Sequence, residues 1–161
     1  MKNRSLRCAS ALTVLSLLGW GAKHSSASSE TGVGRPRLVE ISANDAMKYS
    51  RATIEAKPGE QLTVVLTNAG AMPKAVMGHN WILLKAGSDP AAFAAAAVQA
   101  KDTDYVPPSL KGQILAQIPL LGPRKSDEVT FTVPATPGNY PYLCTFPAHF
   151  QVGMRGLLVV K

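Results

Sequence analysis

The sequence predicts an all-β domain: a Greek-key β-sandwich of about seven to eight short strands with one short helical insertion. Three observations lead to it. Apolar residues recur every second position in short runs, most clearly at Leu62, Val64 and Leu66, which is the spacing that puts side chains on one face of a strand. Turn-forming pairs such as Pro58-Gly59, Gly122-Pro123 and Pro137-Gly138 separate the runs,. Only residues 88–101 have the composition of a helix. Many short strands at regular spacing cannot bury their apolar faces singly, and packing two sheets face to face is the usual solution.

The elements follow in order. Leu38 and Ile41 begin a first strand, and a second runs over 47–56 to the Pro58-Gly59 turn. A third carries Leu62, Val64 and Leu66, and a compact apolar fourth covers 81–84, ended by Gly87,. Ser88 or Asp89 can cap the helical stretch, Pro90 suits its first turn, and the alanines between 91 and 97 favour helix,. Its expected role is to cover one side of the sandwich. Pro107-Pro108 closes this excursion, and strands resume at 112–118, 128–133, 140–144 and 156–160.

Length and charge narrow the function classes. A chain of 161 residues suits one domain with a core of ordinary size,. The formal charge is +7, from 17 basic and 10 acidic residues. Lys2, Arg4, Arg7 and Lys23 supply four of those positive charges within residues 1–27, which hold no acid. The remainder is mildly basic and has no Lys/Arg cluster with interleaved aromatics, so nucleic acid is not an expected partner. Residues 1–27 have the three parts of a secretory signal: a positive start, an apolar run from Cys8 to Trp20, and Ser25-Ser26-Ala27 for cleavage,. The apolar run is shorter than the roughly 20 residues a spanning helix needs, so export is expected. A membrane anchor is the alternative if the segment stays uncleaved. Residues 28–36 read as a flexible leader, and 37–161 as the folded domain,.

Cleavage would remove Cys8 and His24, leaving one thiol, Cys144, and two imidazoles, His79 and His149. A lone thiol in an oxidising compartment has no disulfide partner and needs another purpose, for which metal ligation is natural. Cys144, His149 and Met154 sit close together, and His79 lies upstream in Met77-Gly-His-Asn-Trp81. Thiolate and thioether favour Cu(I), while imidazole also serves Cu(II), so this set suits one copper ion in both states. Trp81 and Met47 read as core residues without a redox role.

Pro73-Lys-Ala-Val-Met-Gly-His-Asn-Trp-Ile-Leu83 and Cys144-Thr-Phe-Pro-Ala-His149 resemble the two copper-binding segments of the azurins. The four residues between His149 and Met154 are similar to the spacing in auracyanins, and the likeness extends from about Leu38 to Lys161. This resemblance implies the cupredoxin fold and a type 1 (blue) copper site. Equatorial ligands would be His79, Cys144 and His149, with Met154 axial and the Gly78 carbonyl on the opposite axial side. Asn80 and Thr145 would brace the two ligand segments by hydrogen bonds. Three features depart from the azurin pattern. Ala148 stands where glycine is usual, Met154 comes one residue later, and the typical disulfide is missing. Copper binding is expected to survive all three.

The implied activity is electron transfer, with transient redox donor and acceptor proteins as partners and no small-molecule substrate. Met72, Val76, Met77, Phe146, Pro147 and Ala148 are the candidate apolar docking patch around the outer edge of His149,. The competing reading is a periplasmic protein that sequesters or delivers copper. A multicopper enzyme is excluded, because it needs more histidines than the mature chain offers. Scattered acids, no phosphate loop and no nucleophile elbow argue against other enzymes. Zinc is chemically feasible with Cys and His, but is expected only as a recombinant substitute.

Overall fold

The computed structural model describes residues 35–161. The expected signal segment, 1–27, and all but the end of the leader, 28–36, lie outside the described residues. Among the described residues there are nine strands: β1 (Arg37–Asn44), β2 (Lys48–Tyr49), β3 (Thr53–Ala56), β4 (Gln61–Asn68), β5 (His79–Leu84), β6 (Ile114–Leu121), β7 (Ser126–Thr132), β8 (Gly138–Leu143) and β9 (Arg155–Val160). They form two sheets, ordered β2-β1-β4-β7 and β3-β9-β8-β5-β6. β1 pairs with β4 and β3 with β9 in parallel, and the remaining pairs are antiparallel. Parallel neighbours need crossovers, and here the chain makes them by passing between the two sheets of the sandwich.

The single strand expected over 47–56 is in fact two. Met47 takes a left-handed conformation, φ 55°, and closes a tight turn through its amide to the Asn44 carbonyl. β2 then pairs with β1, whereas β3 pairs with β9 in the other sheet. One chain segment thus turns the corner between sheets, a constraint that local composition does not reveal. β1 includes both Leu38 and Ile41, as expected; Leu38 faces outward while Val39, Ile41 and Ala43 face the core. β6 begins at Ile114 because residues 108–113 wind into a 3₁₀ turn.

β4 alternates buried and half-buried residues along its length, as its sequence requires. All six residues of β5 are buried, which a two-sided environment explains. Trp81 and Leu83 enter the main core with Ile41, Leu62, Val64, Leu66, Ile118 and Tyr142. Ile82 and Leu84 face a second apolar cluster with Leu143, Phe93, Ala94, Val106 and Phe150.

Phe93 and Ala94 come from α2 (Pro90–Ala97), which does cover this face of the sandwich. The Asp89 carboxylate caps it by accepting from the Ala91 and Ala92 amides, and Pro90 occupies its first turn. A shorter helix, α1 (Lys74–Met77), was not expected from sequence and leads into β5. Among the described residues no helix is long and apolar enough to cross a membrane.

Phe93 is fully buried under α2. Phe93→Ala should therefore destabilise the metal-free protein by about 3–5 kcal/mol, measured by denaturant unfolding. A loss well under 1 kcal/mol would mean that α2 is not a structural cover.

Candidate metal centre

Two separate stretches of chain meet at one end of the sandwich. β5 begins at His79, and β8 ends at Leu143, one residue before Cys144. Antiparallel pairing of Ile82 with Leu143 and Leu83 with Tyr142 sets these ends side by side. The loop after Cys144 folds back tightly. His149 N donates to Phe146 O, Met154 N to His149 O, and Cys144 N to Met154 O. The backbone of Met154 is therefore bonded to both Cys144 and His149.

The resulting cluster brings together His79, Cys144 and His149, whose donor atoms all lie within 4.8 Å of one another. The two Nδ1 atoms face each other at 3.3 Å, and Cys144 Sγ lies 3.4 Å from His149 Nδ1. Both rings therefore turn the same nitrogen inward. His79 and Cys144 are fully buried, His149 is 1% exposed, and Met154 is fully buried beside them.

The Asn80 side chain is buried and makes a double hydrogen bond to Thr145. Its Oδ1 accepts from Thr145 N at 2.8 Å, and its Nδ2 donates to Thr145 Oγ1 at 2.6 Å. Asn80 follows His79 and Thr145 follows Cys144, so this bridge joins the two segments at the donors. Gly78, before His79, has no room for a side chain: a Cβ there would meet the Lys74 carbonyl at 2.7 Å and Leu120 at 2.9 Å. Ala148, before His149, sits at φ 71°. That left-handed backbone favours glycine and costs a residue with a Cβ about 1–2 kcal/mol.

Burial dominates the electrostatics. It pushes the Cys144 thiol up to about 12, opposed by the backbone N–H groups of Asn80 and Phe146 and by the Tyr49 hydroxyl. Burial likewise depresses His149 to about 4, with repulsion from His79 adding to it. It also lowers His79, against an opposing pull from Asp45 and the Asn44 carbonyl. The outer nitrogen of His79, Nε2, is buried without a hydrogen-bond partner. The metal-free site thus holds a neutral thiol and neutral imidazoles at pH 7.

Of the residues expected around the site, Met72 and Val76 are 39% and 52% exposed, and Ala148 is exposed too. Met77 and Pro147 are half-buried. Phe146 is buried, its ring 4.7 Å from that of His149 and 5.1 Å from that of Tyr105. The open outer edge expected for His149 is thus largely covered. Val152, 43% exposed on the same loop, was not anticipated from sequence. Neither were the Asn80 and Phe146 amides, because backbone groups carry no residue signature.

Two buried imidazoles and one buried thiol with inward-facing donors, beside a buried thioether, fit copper in both oxidation states. Sandwich and donor set together define a cupredoxin with a single type 1 copper site. The sequence profile of the plastocyanin/azurin family of copper-binding proteins matches residues 37–161, and the chain belongs to that family. It is 35% identical over 126 residues to azurin of Pseudomonas aeruginosa, spanning 76% of this chain and 84% of that protein. It is 36% identical over 128 residues to auracyanin A of Chloroflexus aurantiacus, spanning 78% of this chain and 75% of that one. Among solved structures, an auracyanin from Roseiflexus castenholzii superposes with TM-score 0.69 at 33% identity, covering 80% of this chain and 99% of that one. An azurin from Methylomonas sp. strain J gives 0.68 at 32% identity, covering 79% and 99%.

Two outcomes are expected. Asn80→Ala would leave the buried Thr145 amide unpartnered, a cost of about 1–3 kcal/mol, and should weaken copper binding roughly 10–100-fold. Unfolding and metal-competition titrations check both. Second, copper uptake near pH 7 should release one proton, because Cys144 is protonated below about 12 and His149 is already neutral above about 4,. Lowering the pH should therefore weaken binding about tenfold per unit. Calorimetry in buffers of different ionisation enthalpy measures this, and no proton release would place the metal elsewhere.

Proposed function

We propose that this protein is a type 1 copper electron carrier that shuttles single electrons between periplasmic or membrane-bound redox partners. In this reading His79, Cys144, His149 and Met154 would hold the copper, with the Gly78 carbonyl as a further oxygen donor. Asn80 and Thr145 brace the ligand segments. Copper supplies the one-electron chemistry by alternating between Cu(I) and Cu(II).

The observation that carries this reading is the burial of every donor. His79, Cys144 and Met154 are fully buried and His149 is 1% exposed. A substrate has no approach to such a site, whereas an electron can leave through packed side chains. Burial also disfavours the alternative of copper delivery, since transfer to another protein needs donors that can be reached. The group of three metal-binding side chains found among the described residues suits a single copper ion, and the chain is read as a carrier.

Met72, Val76, Met77, Pro147, Ala148 and Val152, with Phe146 beneath, form the proposed docking patch. Such a patch suits brief redox encounters, which use small interfaces. Export by a cleaved signal over residues 1–27, followed by the 28–36 leader and the 37–161 domain, gives a periplasmic or secreted protein.

The test is the visible and EPR spectrum of the mature protein with one equivalent of Cu(II). An intense blue thiolate-to-copper absorption, bleached by reductant and absent from Cys144→Ser, is the expected result. Copper bound without that absorption would contradict the reading.

A further inference from the structure

The two residues of β2 reach both halves of the copper site. The Tyr49 hydroxyl donates to the Asn80 carbonyl, and the Lys48 ammonium donates to the Val152 carbonyl. Asn80 follows the donor His79 on β5, while Val152 lies in the loop between His149 and Met154. The β5–β6 register slips here: pairing passes from His79↔Leu121 to Trp81↔Ile118, so two residues of β6, Pro119 and Leu120, stand opposite Asn80 and neither is registered with it. A carbonyl released by such a bulge needs another donor, and the phenol supplies it.

The loop end is similar. Val152 N and Gly153 N close turns onto Ala148 O and Phe150 O, while the Val152 carbonyl takes its bond from β2. Gly153 has φ 95°, and a Cβ there would sit 3.1 Å from Lys48 Nζ, so ammonium and loop are in close contact.

β2 is itself firmly placed. It is registered against β1 through Ala43↔Tyr49 and Asn44↔Lys48. The amides of Met47 and Ser50 close the hairpin onto Asn44 O and Ser42 O at 2.9 and 2.8 Å. The Tyr49 ring packs on Tyr142 at 5.8 Å between centroids. Lys48 forms no salt bridge among the described residues, which leaves its charge unneutralised beside the donor loop.

We propose that Lys48 and Tyr49 are positioning residues for the copper site, a clamp from the first sheet that fixes the carbonyls of Asn80 and Val152. Lys48 has a second effect. A fixed positive charge beside the loop disfavours the more positive oxidation state, so it raises the reduction potential. Because Lys48 is exposed, salt should screen that part of its action. The redox half of this proposal rests on the copper electron-transfer reading. The clamp does not, since it exists in the metal-free fold.

Tyr49→Phe removes only the hydroxyl, Lys48→Met removes the ammonium at similar length, and Lys48→Arg keeps charge and donor. In metal-free protein, amide hydrogen exchange should quicken in Tyr49→Phe near residues 79–81, and in Lys48→Met over 149–153. In loaded protein, both variants should lose copper to a chelator roughly 10-fold faster than wild type. Lys48→Met should also lower the reduction potential, by an amount that shrinks as salt is added, and Lys48→Arg should restore exchange, retention and potential.

Wild-type exchange in both removal variants would overturn the clamp, as would Lys48→Arg behaving like Lys48→Met. A potential unchanged in Lys48→Met, in protein that keeps the blue absorption, would overturn the electrostatic half. If wild type itself lacks that absorption, the electron-transfer reading and the redox half fall together. The exchange data still decide the clamp.

Discussion

The site depends on the Asn80–Thr145 bridge between the segments that carry the donors. His79 opens β5, while Cys144 and His149 belong to the turn-rich loop after β8, and nothing in the covalent chain holds these close. One buried amide side chain satisfies both the Thr145 amide and its hydroxyl. Because all these groups are buried, breaking the bridge would leave unpaired polar atoms without water to replace the lost bonds. The bridge is therefore either fully formed or costly, which favours one arrangement of the donors over many.

Around it, the sandwich creates an environment that suits a metal and disfavours every other charged state. Desolvation keeps the thiol protonated and the imidazoles neutral in the metal-free protein, so no uncompensated charge is buried there. The Asn80 and Phe146 amides already favour a thiolate at Cys144, and a cation stabilises that thiolate far more. Two rigid supports make this possible. Tyr142 and Trp81 fill the core beneath the donors, with ring centroids 5.5 Å apart, and α2 seals the outer face of β5. A site held by packed strands changes little when the charge on its ion changes, which is the requirement for fast one-electron exchange.

Much of this was legible in the sequence, for identifiable reasons. The donors could be read because soft ligands are scarce: the described domain has one cysteine and two histidines, and three of the four proposed donors lie within eleven residues. Period-two alternation exposed β4, and cap, proline and alanines together exposed α2. What escaped the sequence depends on long-range geometry. The break between β2 and β3 arises because one segment serves both sheets, so local propensity reads it as continuous. Lys48 and Tyr49 look like ordinary strand residues, and only the tertiary fold brings them to Asn80 and Val152, 31 and 104 positions away. The burial of His149 follows from the Phe146 ring folding over it, a contact that neighbouring positions in sequence do not specify.

The central claim is that the fold sets one donor geometry for both oxidation states. X-ray absorption at the copper edge, recorded on oxidised and reduced samples of the same preparation, tests it most directly. The account predicts one sulfur and two nitrogens as the close ligands in both states, with the same coordination number and only small changes in distance. Loss or gain of a close ligand on reduction, or a first shell without sulfur, would contradict it.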